Sequence, residues 1–445
     1  MFVGIVPASP KALSLPLEGE HVVKRTVLAL LGLLIATLTT LGFGVAAHAA
    51  DTGIGFKGII LGETGKPLSG VKISAKATAG AFKSSSITGA DGTWKITVPT
   101  QGQYVVSIDV STLPKGEGLT DPKRQSSTLL VYQGYNRVGF PIGPAETNNS
   151  NFFGQLSQLL VDGAIFGLII ALAAIGLSLI YGTTGLTNFA HGEIVSFGAL
   201  STYFFNVVVG IPLVISIVLG VITTAAIMGW FQDRILWRPL RKRGTGLIAM
   251  LVVSIGLGIF LRYLFLFRFN GNTKTFREYA GQAGLNIGPI SETPKALIAA
   301  AVGIAMIVAT VFWLLRSRVG KASRAVSDNP ALASASGIDV EKVISTVWIL
   351  GAGLASFSGV MLGLTEGIAW NMGQRVLLLT FAAVTLGGLG SAFGAIVGGL
   401  VIGILLDVST LWIAPELKNV GALVVLIIIL LVRPQGILGR RERVG

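Results

Sequence analysis

The chain has 445 residues, 34 Lys or Arg against 21 Asp or Glu, and a formal charge of +13. Charged residues make up only 12% and apolar ones 52%, with a mean hydropathy of +0.74. So few charges cannot cover a water-facing surface, which excludes a single soluble enzyme and a disordered regulator. The lack of cysteine also excludes disulfides, thiolate metal sites and cysteine nucleophiles. The basic excess is read as charge that sets membrane topology, and no nucleic-acid partner is expected.

Residues 1–50 carry Lys24-Arg25, an apolar run from Val27 to Ala47, and the small-residue end Ala47-His48-Ala49. That order predicts a signal peptide cleaved after Ala49, or an uncleaved signal anchor; either one exports the next stretch of chain. Residues 51–145 change character. Short runs such as Val71-Lys72-Ile73-Ser74-Ala75, Thr93-Trp94-Lys95-Ile96-Thr97-Val98 and Tyr104-Val105-Val106-Ser107-Ile108 alternate, and turns such as Ala90-Asp91-Gly92 separate them. This pattern predicts an extracytoplasmic all-β, antiparallel sandwich. With Gly65-Lys66-Pro67-Leu68 ahead of it, the stretch resembles the carboxypeptidase regulatory-like (transthyretin-like) sandwich, which implies a binding or spacing module. A linker spans 146–158, centred on the Asn148-Asn149-Ser150-Asn151 run.

Residues 159–439 read as an all-α polytopic membrane domain. Nine apolar spans are predicted near 159–181, 189–209, 211–231, 246–267, 296–315, 344–365, 376–390, 391–411 and 419–432, with a short tail at 440–445. The uncharged run from Val376 to Leu406 is divided at Gly387-Gly388-Leu389-Gly390-Ser391. Basic residues concentrate in alternate loops (Arg234, Arg238, Arg241, Lys242 and Arg243, then Arg316, Arg318, Lys321, Arg324 and Lys342) and in the tail at Arg433, Arg440, Arg441 and Arg443. These segments are therefore expected in the cytoplasm of a multi-pass plasma-membrane protein, which leaves the sandwich outside.

No phosphate-binding Gly-x-x-x-x-Gly-Lys-Ser/Thr motif, zinc-protease motif or nucleophile turn occurs, and there are only three histidines, so no enzyme activity, cofactor or metal is expected. Two Gly-interrupted stretches are candidates for a translocation path. The first holds Thr187, Asn188, His191 and Glu193, with spacings that share one face if the segment is helical. The alternative is a helix start capped by Thr187 or Asn188, with Glu193 near its positive end. The second holds Gly387, Gly388, Gly390 and Ser391, where unwound backbone could line a cavity. The pairs Gly394/Gly398 and Gly399/Gly403 equally predict close helix packing there. In the basic loop, Asn329-Pro330 opens a short Ala/Ser helix that Gly337 can end, suited either to docking on a partner or to simple re-entry.

Six strings in order resemble the permease subunits of LivH-type branched-chain amino-acid ABC importers and the related urea permeases. They are Gly176-Leu177-Ser178-Leu179-Ile180-Tyr181-Gly182, Asn188-Phe189-Ala190-His191-Gly192-Glu193, Arg238-Pro239-Leu240-Arg241, Arg324 through Ile338, Leu386 through Ser391, and Arg433-Pro434-Gln435-Gly436-Ile437-Leu438-Gly439. The resemblance implies transport of branched-chain amino acids, or of urea, driven by partner ATPases. The partners would be a second permease, two ATP-binding subunits and an extracytoplasmic solute-binding protein. Arg324, Asp328, Asn329, Ala331, Ala333, Gly337 and Ile338 would engage the ATPase, with Ala333 entering its groove. A proton-coupled carrier using His191 and Glu193 is the rival from a different class.

Overall fold

The computed structural model describes residues 53–431, apart from short breaks at 63–66, 79, 115, 120–124, 132–134, 141, 144–151, 272 and 278–283 and parts of 414–430. The expected signal segment, the tail and most of the ninth span lie outside the described residues.

The first region forms strands where alternation predicts them: β1 (Ile54–Ile59), β2 (Lys72–Ala77), β3 (Lys83–Ile87), β4 (Thr93–Val98), β5 (Gly102–Ile108), β6 (Gly118–Leu119), β7 (Ser126–Val131), β8 (Tyr135–Arg137) and β9 (Ile142–Gly143). In β4 the inward residues are Trp94, Ile96 and Val98, the period of two that a half-buried strand requires. One sheet has the order β4-β1-β8 and another β3-β2-β5-β7, with β6 and β9 paired separately. Phe56 and Ile96 from the first sheet share a buried cluster with Ile73, Tyr104 and Val106 from the second. The expected antiparallel pattern fails at one edge, because β8 runs parallel to β1, with Gly55 opposite Tyr135. The Asp91-Gly92 turn forms as expected. Asp91 Oδ1 accepts from the backbone N–H of Thr93 at 3.0 Å, and Gly92 takes φ +71°.

The second region is helical: α1 (Phe152–Thr184), α2 (His191–Tyr203), α3 (Leu213–Lys242), α4 (Leu247–Phe269), α5 (Pro294–Arg316), α6 (Arg318–Asp328), α7 (Pro330–Ala335), α8 (Val340–Thr365), α9 (Met372–Gly387) and α10 (Ala392–Val408). Six of these, α1, α3, α4, α5, α8 and α10 with its 3₁₀ extension to Leu411, are long and apolar enough to cross a membrane; α9, with 16 residues, is shorter. The outer helices leave large apolar side chains in the open, with Ile248, Phe267 and Phe312 exposed at 82%, 80% and 65%. Contiguous apolar surface on hydrogen-bonded helices suits lipid.

Glycine sets how closely the inner helices approach. Gly399 and Gly403 of α10 lie on the backbone of α1 at Ala171 and Gly167, while Gly394 and Gly398 lie on α9 at Gly387 and Ala383. The two glycine pairs thus serve two faces of one helix, as the close-packing expectation requires. In α3, Pro239 can neither donate a hydrogen bond nor sit under the carbonyl of the preceding turn. The helix widens into a π turn over Asp233–Trp237 directly before it.

Between α4 and α5 a small hairpin, β10 (Leu285–Ile287) with β11 (Ile290–Glu292), leans on the start of α1. Gln158 Nε2 donates to Asp162 Oδ1 at 2.9 Å and to the Ser291 carbonyl at 3.2 Å. Burial, and then the neighbouring Asp162 carboxyl, push the Glu292 carboxyl up to about 8 from 4.5. Glu292 therefore favours the docked hairpin when protonated. That contribution is complete below pH 4.5 and is lost as pH rises through about 8. Thermal unfolding should accordingly show a fall in stability as pH rises from 4.5 to about 8 that the Glu292→Gln variant lacks. An identical fall in that variant would place the titrating group elsewhere.

Candidate functional site

The break after α1 is built residue by residue. Gly185, at φ +69°, ends the helix, and the chain runs without regular structure to Ala190. Thr184 Oγ1 accepts the N–H of Leu186 at 3.2 Å, Asn188 Oδ1 accepts that of Ala190 at 3.0 Å, and Ser254 Oγ of α4 accepts that of Phe189 at 3.0 Å. Backbone donors that the break frees from helix bonding are thus met by side chains, as apolar surroundings demand. Helix α2 starts at His191, and its cap position, Ala190, makes no side-chain bond. The expected cap at Thr187 or Asn188 is corrected accordingly: Asn188 closes a turn one step earlier. Thr187 lies outside the helix, so it shares no helical face with His191.

This start lies deep in the bundle. A Cβ on Gly258, at the middle of the 23-residue α4, would stand 3.5 Å from the Cα of Ala190. A helix of that length is about 34 Å long, so α2 begins at roughly the mid-depth of a bilayer. His191 is wholly buried, and its Nε2 lies 2.9 Å from the Ala173 carbonyl of α1. The carbonyl can only accept, so Nε2 carries the proton. Glu193 is also wholly buried, with Oε1 accepting from Arg262 Nε at 3.0 Å. Arg262 in turn donates to Gln374 Oε1 at the start of α9. The starts of α2 and α9 meet backbone to backbone at Gly192 and Gly373, and Ser196 Oγ accepts the Gly373 N–H at 2.9 Å.

Arg262, Gln374, Ser196 and Ser254 were not among the residues expected from the sequence. Arg262 had a visible signal: it is a lone cation inside an apolar span, and such residues face a bundle interior or a polar path. Gln374 had none, because its role depends on α9 starting beside α2.

The second glycine break lies elsewhere. Gly388 and Gly390 take φ +105° and +80°, and Ser391 Oγ caps α10 by accepting the Gly394 N–H at 3.0 Å. A Cβ on Gly182, near the end of α1, would stand 3.1 Å from the Gly390 carbonyl and 2.9 Å from Ser327 Oγ. Gly387, Gly388, Gly390 and Ser391 therefore form a tight turn against the end of α1 and the loop helices. This turn adjoins the end of α1, where the first break begins, and His191 and Glu193 lie beyond that break at the start of α2.

The loop helices match their signals. Asn329 Oδ1 caps α7 by accepting the Leu332 N–H at 3.0 Å, Pro330 opens the helix, and Gly337 at φ +82° ends it. Arg324, Asp328, Asn329, Ala331 and Gly337 are exposed and Ile338 is half-buried. Ala333 differs from expectation. It is 4% exposed and packs with Val326 and Val343, turned into the protein and away from any partner groove. The outward side chain is Leu332, 65% exposed. A short polar brace supports this platform. Arg238 Nε and Arg241 Nη2 each lie 3.1 Å from Glu341 Oε2 at the start of α8, and Arg241 Nη1 lies 2.8 Å from the buried Asp233.

A helical membrane domain with one helix break at mid-depth is an arrangement that transport proteins use. The branched-chain amino acid transport system / permease component family matches residues 159–430, and the chain belongs to it. The permease protein LivH of Escherichia coli is 34% identical over 306 residues, covering 66% of this chain and 98% of the relative. BraD of Pseudomonas aeruginosa is 32% identical over 301 residues, covering 64% and 96%. LivM of Escherichia coli is 23% identical over 313 residues, covering 64% and 71%. All three are described as high-affinity branched-chain amino acid transport system permease proteins.

Proposed function

We propose that this chain is the permease subunit of an ABC importer that carries branched-chain amino acids across the plasma membrane. The observation that carries this reading is the family match across the whole helical domain, with 98% of the Escherichia coli LivH protein covered. The chain itself hydrolyses nothing; two ATP-binding subunits supply the energy. A second permease of the same family completes the path, and an extracytoplasmic binding protein delivers the solute. Nine spans place the basic loops and the tail in the cytoplasm and the strand region outside. That region is a carboxypeptidase regulatory-like module exported by the N-terminal segment. Alternating access then opens the α2 break to each side in turn, with the 387–391 turn at its inner mouth. The exposed face of α6 and α7, from Arg324 to Ile338, receives the motion of the ATPase.

Full-length tagged protein purified from its native membrane should bring down two ATPase subunits and a second permease; recovery of the chain alone, able to move solute by itself, would overturn the assembly. The lack of native cysteine makes orientation directly measurable. A Ser85→Cys thiol should react with an impermeant reagent on intact cells, and a Gly244→Cys thiol only after permeabilisation. Reaction at position 244 from outside would invert the topology.

A further inference from the structure

Where α2 meets α9, the structure holds a buried charge pair between Glu193, in the first turn of α2, and Arg262 of α4. Glu193 Oε1 takes both Arg262 Nε and Nη2 at 3.0 Å, while the equally buried Oε2 has no hydrogen-bond partner. Asn188 Nδ2 and His191 Nδ1, within five residues, are likewise buried without one. Enclosed polar atoms are normally satisfied, and a buried ion pair is often less stable than an apolar replacement, so stability does not explain this arrangement. The pair is closed on the α2 side, but Arg262 is 20% exposed and reaches the exposed Gln374. Tyr263, the next residue along α4, and Trp370, ahead of α9, lie with ring centroids 6.3 Å apart, and Tyr263 is 61% exposed.

We propose, on the basis of the importer reading above, that Glu193 and Arg262 form an exchangeable site for an amino-acid zwitterion. The solute's carboxylate replaces Glu193 on the Arg262 guanidinium, the bidentate geometry that arginine favours. Its ammonium donates to Glu193 Oε2, and its aliphatic side chain lies against Tyr263 and Trp370. When the solute leaves, the two protein charges close on each other, so neither is left unpaired at membrane depth. The same pair therefore acts as the resting lock and the binding site. Urea carries neither charge and does not open it.

The test uses the complete transporter in nanodiscs, with cysteine-free partner subunits and Gln374→Cys as the single thiol. L-Leucine should slow maleimide modification of that thiol about tenfold. The single-charge analogues 4-methylpentanoate and 3-methylbutylamine should not slow it, and Glu193→Gln with Arg262→Gln should abolish the protection. Equal protection by either analogue, or none by leucine, overturns the site. So does undiminished leucine uptake by the doubly neutral variant, which would make the pair structural only. ATP hydrolysis stimulated by leucine-loaded binding protein is measured on the same samples. Stimulation without protection rejects this site alone, whereas no stimulation in the unsubstituted transporter rejects the importer reading and the site with it.

Discussion

Replacing Gly403 with leucine is expected to abolish assembly of the helical domain. A Cβ at this position overlaps the backbone of α1 at Gly167 and Gly163. Those atoms cannot rotate away as a side chain could, so α1 and α10 must separate. Overpacking a well-filled core costs roughly 1–3 kcal/mol even where side chains adjust. Here the separation also loses the contacts made by Gly163, Gly399 and Ala171 along the same seam. The expected loss is therefore upwards of about 3 kcal/mol, a large part of the stability of a typical domain. Gly256→Leu is the matched control, because nothing lies within 4 Å of a Cβ there. Detergent-resistant folded yield, read by size-exclusion chromatography, should collapse for the first variant and hold for the second. Equal yields would mean that the seam is not tightly packed.

The second large effect is at the loop helices. Leu332→Arg places a cation at the outward tip of α7, where the side chain is 65% exposed in the isolated chain. If that tip enters an ATPase groove, the charge is buried unpaired and docking weakens by about 2–5 kcal/mol, or roughly 30-fold or more in affinity. Folding should be unaffected, since the position is open. Ala333→Arg should behave differently. Its side chain packs with Val326 and Val343, so a long cation there damages the platform itself. Copurification of the ATPase, measured beside the thermal stability of the permease, separates the two. Normal copurification by the Leu332→Arg variant would remove α7 from the interface.

Most elements were legible because their causes are local. Apolar length marks the helices, alternation marks β4, and the Asn329-Pro330 start and Gly337 stop mark α7 through backbone chemistry alone. The parallel β8 edge was not legible, since strand direction depends on a chain path that alternation does not encode. Ala333 was placed on the wrong face because a six-residue helix of small side chains has no strong apolar stripe; its inward face is defined by Val326 and Val343 on other helices. At the site, His191 and Glu193 could be named from their spacing. What they touch, namely Ala173, Arg262 and Gln374, depends on α2 starting halfway along α4. The breaks themselves were visible as glycines, but their depths, one central and one at the end of α1, come from packing.

The central claim is that this chain conducts branched-chain amino acids only when partner ATPases drive it. The direct measurement is uptake of labelled L-leucine into proteoliposomes holding the full assembly, with binding protein outside and ATP supplied to the ATPase side. Uptake should require both ATP and the ATPase subunits, should be unaffected by collapsing a proton gradient, and should not be matched by urea. Leucine accumulation driven by a proton gradient with the ATPases omitted, or ATP-driven uptake of urea in place of leucine, would contradict it.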